Sequence, residues 1–113
     1  MNNKGIGIFD SGLGGLTVAK EIMVLLPKER IFYLGDTART PYGTKTKDTI
    51  VRFSKENTAF LLKKSVKMIV VACNTSSALA LKELKRAFKI DIIGIIEAGA
   101  RAAVEATRTG RSG

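Results

Sequence analysis

The chain has 113 residues, 45% of them hydrophobic, and its formal net charge is +9. This length and composition predict a globular domain, or part of one, and exclude a disordered chain. No apolar run approaches the ~20 residues that cross a bilayer, and the N-terminus lacks the apolar core of a signal peptide, so we expect a cytoplasmic location and no membrane partner.

Cysteine, histidine and charge limit the kinds of site further. One cysteine permits no internal disulfide, and a sequence without histidine is a poor zinc ligand set, so we expect no metal site. The surplus of positive charge indicates either an anionic ligand or a lysine-rich solvated surface. Because no aromatic residues interleave with the cationic clusters, we expect no nucleic-acid partner.

Apolar runs and helical spacing predict four strands that alternate with helices. In chain order, strands are expected over 5–9, 31–34, 68–72 and 92–96, and helices over 16–26, 47–64, 77–88 and 99–106. The residues expected on the buried faces of the first two helices are Leu16, Ala19, Ile22, Met23 and Leu26, then Ile50, Phe53, Phe60 and Leu61. The predicted fold class is therefore α/β, an open parallel sheet with flanking helices.

Polar side chains follow every predicted strand. In open parallel sheets, ligands bind beyond the carboxyl ends of the strands, so these side chains are expected to converge on one edge. They are Asp10 and Ser11, Asp36 and Tyr42, Cys73, Asn74 and Thr75, and Glu97. Asp36, the nearby Arg39 and Glu97 are candidates by position alone, and a structural role for each is equally favoured.

Cys73 lies where a buried strand ends and a helix begins. At such a junction, unpaired backbone N–H groups and the positive end of the helix dipole favour the thiolate. The alternative is that Cys73 is a small buried hydrophobe. The polar stretch that follows it favours the reactive role.

The glycine-rich turn over 10–15 indicates either an anion-binding loop or simply a tight turn. Its spacing matches neither a Walker loop nor a dinucleotide fingerprint. Around Cys73, a thioredoxin-type site would need a second cysteine where Ser76 stands, and papain-like catalysis would need a histidine. What remains is a thiolate beside a carboxylate in a polar pocket, which suits proton transfer to or from carbon.

Three motifs together resemble the cofactor-independent aspartate/glutamate racemase family, and within it the glutamate racemases. They are Phe-Asp-Ser-Gly-Leu-Gly-Gly-Leu-Thr-Val over 9–18, Gly-Asp-Thr-Ala-Arg with Pro-Tyr-Gly over 35–43, and Ala-Cys-Asn-Thr over 72–75. A further stretch, 93–100, is also similar. The resemblance covers nearly the whole chain.

The resemblance implies interconversion of L- and D-glutamate for peptidoglycan precursor supply, with no pyridoxal phosphate or other cofactor and no metal. By motif match, Cys73 and Asp10 would be catalytic, with Asp10 assisting the thiol. The implied glutamate contacts are Asp10, Ser11, Tyr42, Gly43, Asn74 and Thr75.

The resemblance also implies the first of two pseudo-symmetric domains, with the α/β domain over 1–97 and the start of a linker or second domain over 98–113. The family's second catalytic cysteine lies in a later motif that this sequence does not contain, so we expect the 113-residue chain to be inactive alone. The face that the second domain would cover is exposed in this chain, so we expect self-association into a homo-oligomer.

Two other functions remain open. Aspartate and hydantoin racemases use a similar thiol arrangement, although the Asp-Ser-Gly-Leu-Gly-Gly and Pro-Tyr-Gly motifs favour glutamate. A non-catalytic module that binds an amino acid or phosphate could use the same loops with the cysteine idle.

Overall fold

The computed structural model describes residues 4–12 and 15–95. These residues form four parallel strands and four α-helices. The strands are Gly5–Asp10 (β1), Ile31–Gly35 (β2), Val66–Val71 (β3) and Asp91–Gly94 (β4), and the helices are Gly15–Leu25 (α1), Lys47–Leu62 (α2), Asn74–Leu79 (α3) and Leu81–Ala87 (α4). The predicted open parallel sheet with flanking helices is confirmed. The predicted helix over 99–106 lies outside the described residues.

The strand order is β2-β1-β3-β4, so β1 is central and all of its neighbours run parallel to it. In register, Phe9 pairs with Leu34 on one side and with Val71 on the other. The Ala72 amide extends the β1–β3 ladder by donating to the Phe9 carbonyl at 2.8 Å. The residues that follow β1, β2 and β3 therefore meet at one edge, as parallel pairing requires.

Apolar side chains cover both faces of the sheet, which is why its strands are buried runs rather than alternating patterns. On one face, Ile6 and Ile8 pack with Ala19 and Ile22 of α1. On the other face, β1 and β3 pack against the remaining three helices through a larger cluster that includes Phe9, Ile50, Phe53, Leu61, Val71, Cys73, Leu81 and Leu84. We call these the α1 face and the α2 face.

The predicted buried face of α1 is partly wrong. Ala19 and Ile22 are buried, but Leu16 is 46% exposed and Met23 is 49% exposed. The helix meets the sheet through a narrow stripe that Ala19, Ile22 and Leu26 form at i, i+3 and i+7, and the two exposed residues flank it. In α2, Ile50, Phe53 and Leu61 are buried as predicted, whereas Phe60 is 46% exposed.

The single helix predicted over 77–88 is also wrong, because the structure breaks it at Ala80. α3 is fixed to α2 by a hydrogen bond of 2.8 Å between the buried hydroxyls of Ser54 and Ser76. α4 is fixed separately by Leu81 and Leu84, which enter the core. Tertiary packing thus sets the break at a residue that has no helix-breaking chemistry of its own.

Among residues 4–12 and 15–95, none of the helices has the length and apolar character needed to span a membrane.

Candidate active site at the carboxyl edge of the sheet

Asp10, the last residue of β1, has no solvent exposure, and its carboxylate is held by two donors. The Gly12 amide donates to Oδ1 at 2.8 Å, and the Tyr33 hydroxyl donates to Oδ2 at 2.8 Å. Burial, followed by the hydrogen bond to Asp10 and the charge of Asp10, raises the pKa of Tyr33 to about 12. Tyr33 therefore remains a protonated donor at neutral pH.

Ser11 and Gly12 connect the β1 loop to the loop after β2. Ser11 is buried, and its carbonyl accepts a hydrogen bond from the Thr40 hydroxyl. Gly12 has a φ of +94°, and a Cβ at this residue would lie 2.9 Å from a methyl carbon of Thr37. Glycine is therefore required here both by the backbone conformation and by the close approach of the two loops.

A buried network fixes the loop after β2. The Tyr42 hydroxyl donates to Asp36 Oδ2 and accepts from Asn57 Nδ2 at 2.9 Å, and the same amide nitrogen also donates to Asp36 at 3.2 Å. Arg39 donates to Asp36 at 2.9 Å, pairs with Glu56, and stacks over the Phe53 ring at 3.9 Å. Burial, with a smaller contribution from the hydrogen bond to Asp36, raises the pKa of Tyr42 above its usual value.

Because this network uses the Tyr42 hydroxyl as both donor and acceptor, the side chain has no hydroxyl hydrogen to offer a ligand. The backbone is different. Residues Tyr42–Thr44 form a short 3-10 turn, and the first N–H groups of such a turn have no partner within it. Gly43 is exposed, and a Cβ added to it would meet nothing within 4 Å. The backbone at Tyr42 and Gly43 is thus suited to a carboxylate.

Cys73 joins β3 to α3 and has extended backbone geometry, with φ −104° and ψ 122°. Its sulfur accepts a hydrogen bond from the Ser76 amide at 3.5 Å and so occupies the N-cap position of α3. The residue is only 4% exposed and belongs to the apolar cluster on the α2 face. The structure therefore shows a thiol that is both capped by a backbone amide and buried, and the reactive role of Cys73 stays a prediction.

The side chains of Asp10 and Cys73 lie on different faces of the sheet. Asp10 continues the alternation of Ile6 and Ile8 and shares the α1 face with its partner Tyr33, whereas Cys73 packs on the α2 face. Within the described residues, Asp10 bonds to Gly12 and Tyr33, and Cys73 bonds to Ser76. Assistance of the thiol by Asp10 stays a prediction, and it would require contact around the end of the sheet.

Asn74 and Thr75 are the first residues of α3, and they are exposed and half-buried respectively. They lie beside Cys73 at the expected edge. Glu97 lies outside the described residues. Asp36 and Arg39 belong to the network that supports Tyr42, which gives them a structural role in this site.

The sequence interpretation missed Tyr33 and Asn57. Tyr33 lies within β2, on the same face as Asp10, which the register of a parallel pair could have indicated. Asn57 is a polar residue on the buried side of α2 and is only 4% exposed. A buried amide requires hydrogen-bond partners, and this requirement was the signal that could have indicated its role. No group of three or more metal-ligating side chains is present among the residues that the structure describes.

These features define an open parallel α/β domain that carries a capped cysteine at the carboxyl edge of its sheet. No protein-family model matches the chain. Individual proteins do. The chain is 56% identical over 110 residues to the glutamate racemase of Geobacter metallireducens, which is 97% of this chain and 41% of that protein.

Solved structures agree with this. A glutamate racemase isoform from Bacillus anthracis superposes with a TM-score of 0.83 at 47% identity, over 93% of this chain and 40% of that chain. For the glutamate racemase from Francisella tularensis in complex with D-glutamate, the TM-score is 0.80 at 47% identity, over 86% of this chain and 37% of that chain. The chain is therefore a homologue of glutamate racemases, as its motifs predict, and it spans about 40% of the length of the relatives it matches.

Proposed function

We propose that this chain forms one part of the active site of an enzyme that interconverts L-glutamate and D-glutamate. The observation that carries the proposal is the position of Cys73, a lone cysteine whose sulfur accepts a hydrogen bond from the Ser76 amide of α3 at the carboxyl edge of the sheet. The high identity to glutamate racemases over nearly the whole chain supports it. A cysteine in this position is suited to act as a proton acceptor.

In the proposed reaction, the Cys73 thiolate removes the α-proton of glutamate. The S–H bond forms as the C–H bond breaks, and the electron pair of that bond remains on the α-carbon. Inversion then requires a second acid to deliver a proton to the opposite face of this carbon. Because Cys73 is the single cysteine of a chain without histidine, we propose that this second group is supplied from outside these 113 residues.

The proposed glutamate contacts lie at the same edge of the sheet as the thiol. The Tyr42 and Gly43 amides would bind one carboxylate, because they begin the short 3-10 turn and Gly43 is exposed. Asn74 and Thr75 would bind from the start of α3, and Asp10 with Ser11 from the end of β1. The Francisella tularensis structure in complex with D-glutamate supports glutamate as the ligand.

The wider setting is proposed on the same basis. D-Glutamate production would supply peptidoglycan precursors in the cytoplasm, and the chemistry would use no cofactor, because the thiol itself performs the proton transfer. The α/β domain would extend over 1–97 as the first of two similar domains, with 98–113 beginning the connection, and the protein would form a homo-oligomer.

The test uses the 113-residue chain with L-glutamate in deuterated water. We expect no loss of circular dichroism from the amino acid, and a slow exchange of its α-hydrogen without inversion. Cys73→Ser is expected to abolish the exchange while its hydroxyl continues to cap the Ser76 amide, so the fold is kept. Racemisation by the chain alone would contradict the need for a second group.

The burial of Cys73 favours one alternative, a module that binds an amino acid without catalysis. Alkylation by iodoacetamide separates the two functions. A thiol that reacts in the folded chain and is protected by glutamate supports the racemase site. A thiol that is inert until the chain unfolds, together with no α-hydrogen exchange, would contradict it.

A further inference from the structure

We infer that Tyr33 is a positioning residue that fixes the orientation of the Asp10 carboxylate at the edge of the sheet. The inference rests on the function proposed above, because it concerns how Asp10 meets glutamate. Tyr33 has no direct place in the motif resemblance. Its role follows from the contacts of its hydroxyl and from the glycine over which it reaches.

The first observation is that Asp10 is held at both oxygens. One oxygen accepts from the Gly12 amide and the other from the Tyr33 hydroxyl, each at 2.8 Å. Two donors on opposite oxygens prevent the carboxylate from rotating about its Cβ–Cγ bond. A carboxylate has about four acceptor positions, so this two-donor clamp occupies only part of its acceptor capacity.

The second observation concerns Gly35, which pairs in register with Asp10. Tyr33 is two residues earlier on the same strand, so its side chain must pass over residue 35 to reach the carboxylate. A Cβ at residue 35 would lie 3.0 Å from the Tyr33 hydroxyl oxygen and 3.4 Å from Asp10 Oδ1. The missing side chain of Gly35 therefore provides the space in which the hydrogen bond forms.

The solvent exposures of Tyr33 and Asp10 distinguish this hydrogen bond from a contact within the core. Tyr33 is 38% exposed, whereas Asp10 is fully buried, so the hydrogen bond joins a partly exposed side chain to a buried carboxylate. A buried carboxylate that loses a donor loses charge-assisted hydrogen bonding that water does not replace. Removal of the hydroxyl is expected to loosen Asp10 with little change elsewhere in the sheet.

The experiment compares Tyr33→Phe and Gly35→Ala in the 113-residue chain by NMR. The readouts are the ¹³Cγ signal of Asp10 and the dissociation constant of L-glutamate obtained by titration. We expect both variants to shift the Asp10 signal and to weaken glutamate binding by about ten-fold, the loss typical of one charge-assisted hydrogen bond. Gly35 has no positive φ, and its added methyl would meet the movable end of a side chain, so this variant should fold.

The matched control is Thr58→Val. It removes a different buried hydroxyl, which donates to the Ser54 carbonyl at 2.9 Å and lies outside the site. It should lower stability without moving the Asp10 signal or the glutamate affinity. If the affinity falls equally in this control, or if Tyr33→Phe changes neither readout, the inference is wrong.

A third variant tests the contact between Tyr33 and Asp10 independently of the proposed function. In Asp10→Asn, the pKa of Tyr33 should fall below about 12, because the negative charge that helps to raise it is gone. The ¹³Cζ signal of Tyr33 reports this titration without any ligand. If the wild-type chain fails to bind glutamate, the proposed function is contradicted, while the Asp10 and Tyr33 signals still decide whether the clamp exists. An unchanged Tyr33 titration would overturn it.

Discussion

At the scale of single residues, one buried amide organises the loop that carries the Tyr42 and Gly43 amides. Asn57 is 4% exposed, and its side chain bonds to Asp36, Tyr42 and Arg39. Asn57→Ala would leave buried polar groups without a partner. We expect it to lower the free energy of unfolding by about 2 kcal/mol.

The measurement is urea denaturation followed by circular dichroism, and the control is Asn74→Ala. Asn74 is exposed, so its loss should change the stability by no more than about 0.5 kcal/mol. Similar losses of stability in both variants would show that the buried hydrogen bonds of Asn57 contribute no more to stability than an exposed asparagine does. The network would then have no special role in holding the loop.

The hydroxyl of Tyr42 makes the same network sensitive to alkaline pH. Burial, and then the hydrogen bond to Asp36, raises its pKa in the folded state above the ordinary value of 10.0. Above pH 10 the unfolded chain loses this proton while the folded chain keeps it, so the unfolded state binds fewer protons. The contribution of Tyr42 to stability is therefore complete below pH 10 and is lost as the pH rises beyond it.

We expect the urea midpoint of the wild-type chain to fall as the pH rises above 10, and to fall less in Tyr42→Phe, which has no hydroxyl at this position to ionise. The variant should be less stable at pH 8, because Asp36 and Asn57 lose a partner. The difference between the two chains should then narrow as the pH rises. A difference that stays constant up to pH 11 would contradict the assigned protonation state.

At the scale of elements, the sequence predicts the order and type of the strands and helices well, because apolar runs and helical spacing are local signals. It also predicts that Asp10, Tyr42 and Cys73 lie at one edge of the sheet, because each stands at or beyond the end of a predicted strand. It does not predict the break at Ala80 or the partial exposure of α1. Both depend on which element packs against which, and no local pattern encodes this.

The site shows the same division. Motifs predict Cys73 and Gly43 as site residues, but they do not show that the thiol is buried or that Asp10 lies on the other face of the sheet. Those facts follow from side-chain alternation within β1 and from the packing of α2, α3 and α4 over one face. Tyr33 and Asn57 act through residues distant in sequence, so a reading of local motifs could not assign them.

One prediction belongs to the contact between β4 and the helix pair α3 and α4. A Cβ at Gly94 would overlap the Ser77 side chain and would lie 2.9 Å from a methyl carbon of Leu81. Both neighbours are buried, so neither side chain has free space into which to move. We expect Gly94→Ala to lower the free energy of unfolding by about 1–3 kcal/mol.

Gly43→Ala is the matched control, because a methyl group there meets nothing within 4 Å. Its stability should remain within about 0.5 kcal/mol of the wild-type value. Thermal or urea denaturation of both variants measures the difference in their stability. Equal stability of the two variants would show that β4 is not held closely against α3 and α4.

At the scale of the whole molecule, a high net charge and an exposed apolar helix act against each other. The charge of +9 repels a second copy of the chain. On α1, Leu16, Met23, Val24 and Leu25 are all more than 45% exposed, and Val24 reaches 78%. Apolar surface of this kind favours association once the repulsion is screened.

We therefore expect self-association that increases with salt, measured by sedimentation velocity in roughly 0.01 M and roughly 1 M sodium chloride, where the Debye lengths are about 30 Å and about 3 Å. Val24→Lys should remove it at both salt concentrations. Phe60→Lys adds the same charge on α2, at a side chain that is 46% exposed, and should still associate at high salt. Association that weakens as salt is added would show that charged contacts hold the copies together, and equal loss in both variants would show that net charge, rather than the α1 surface, controls it.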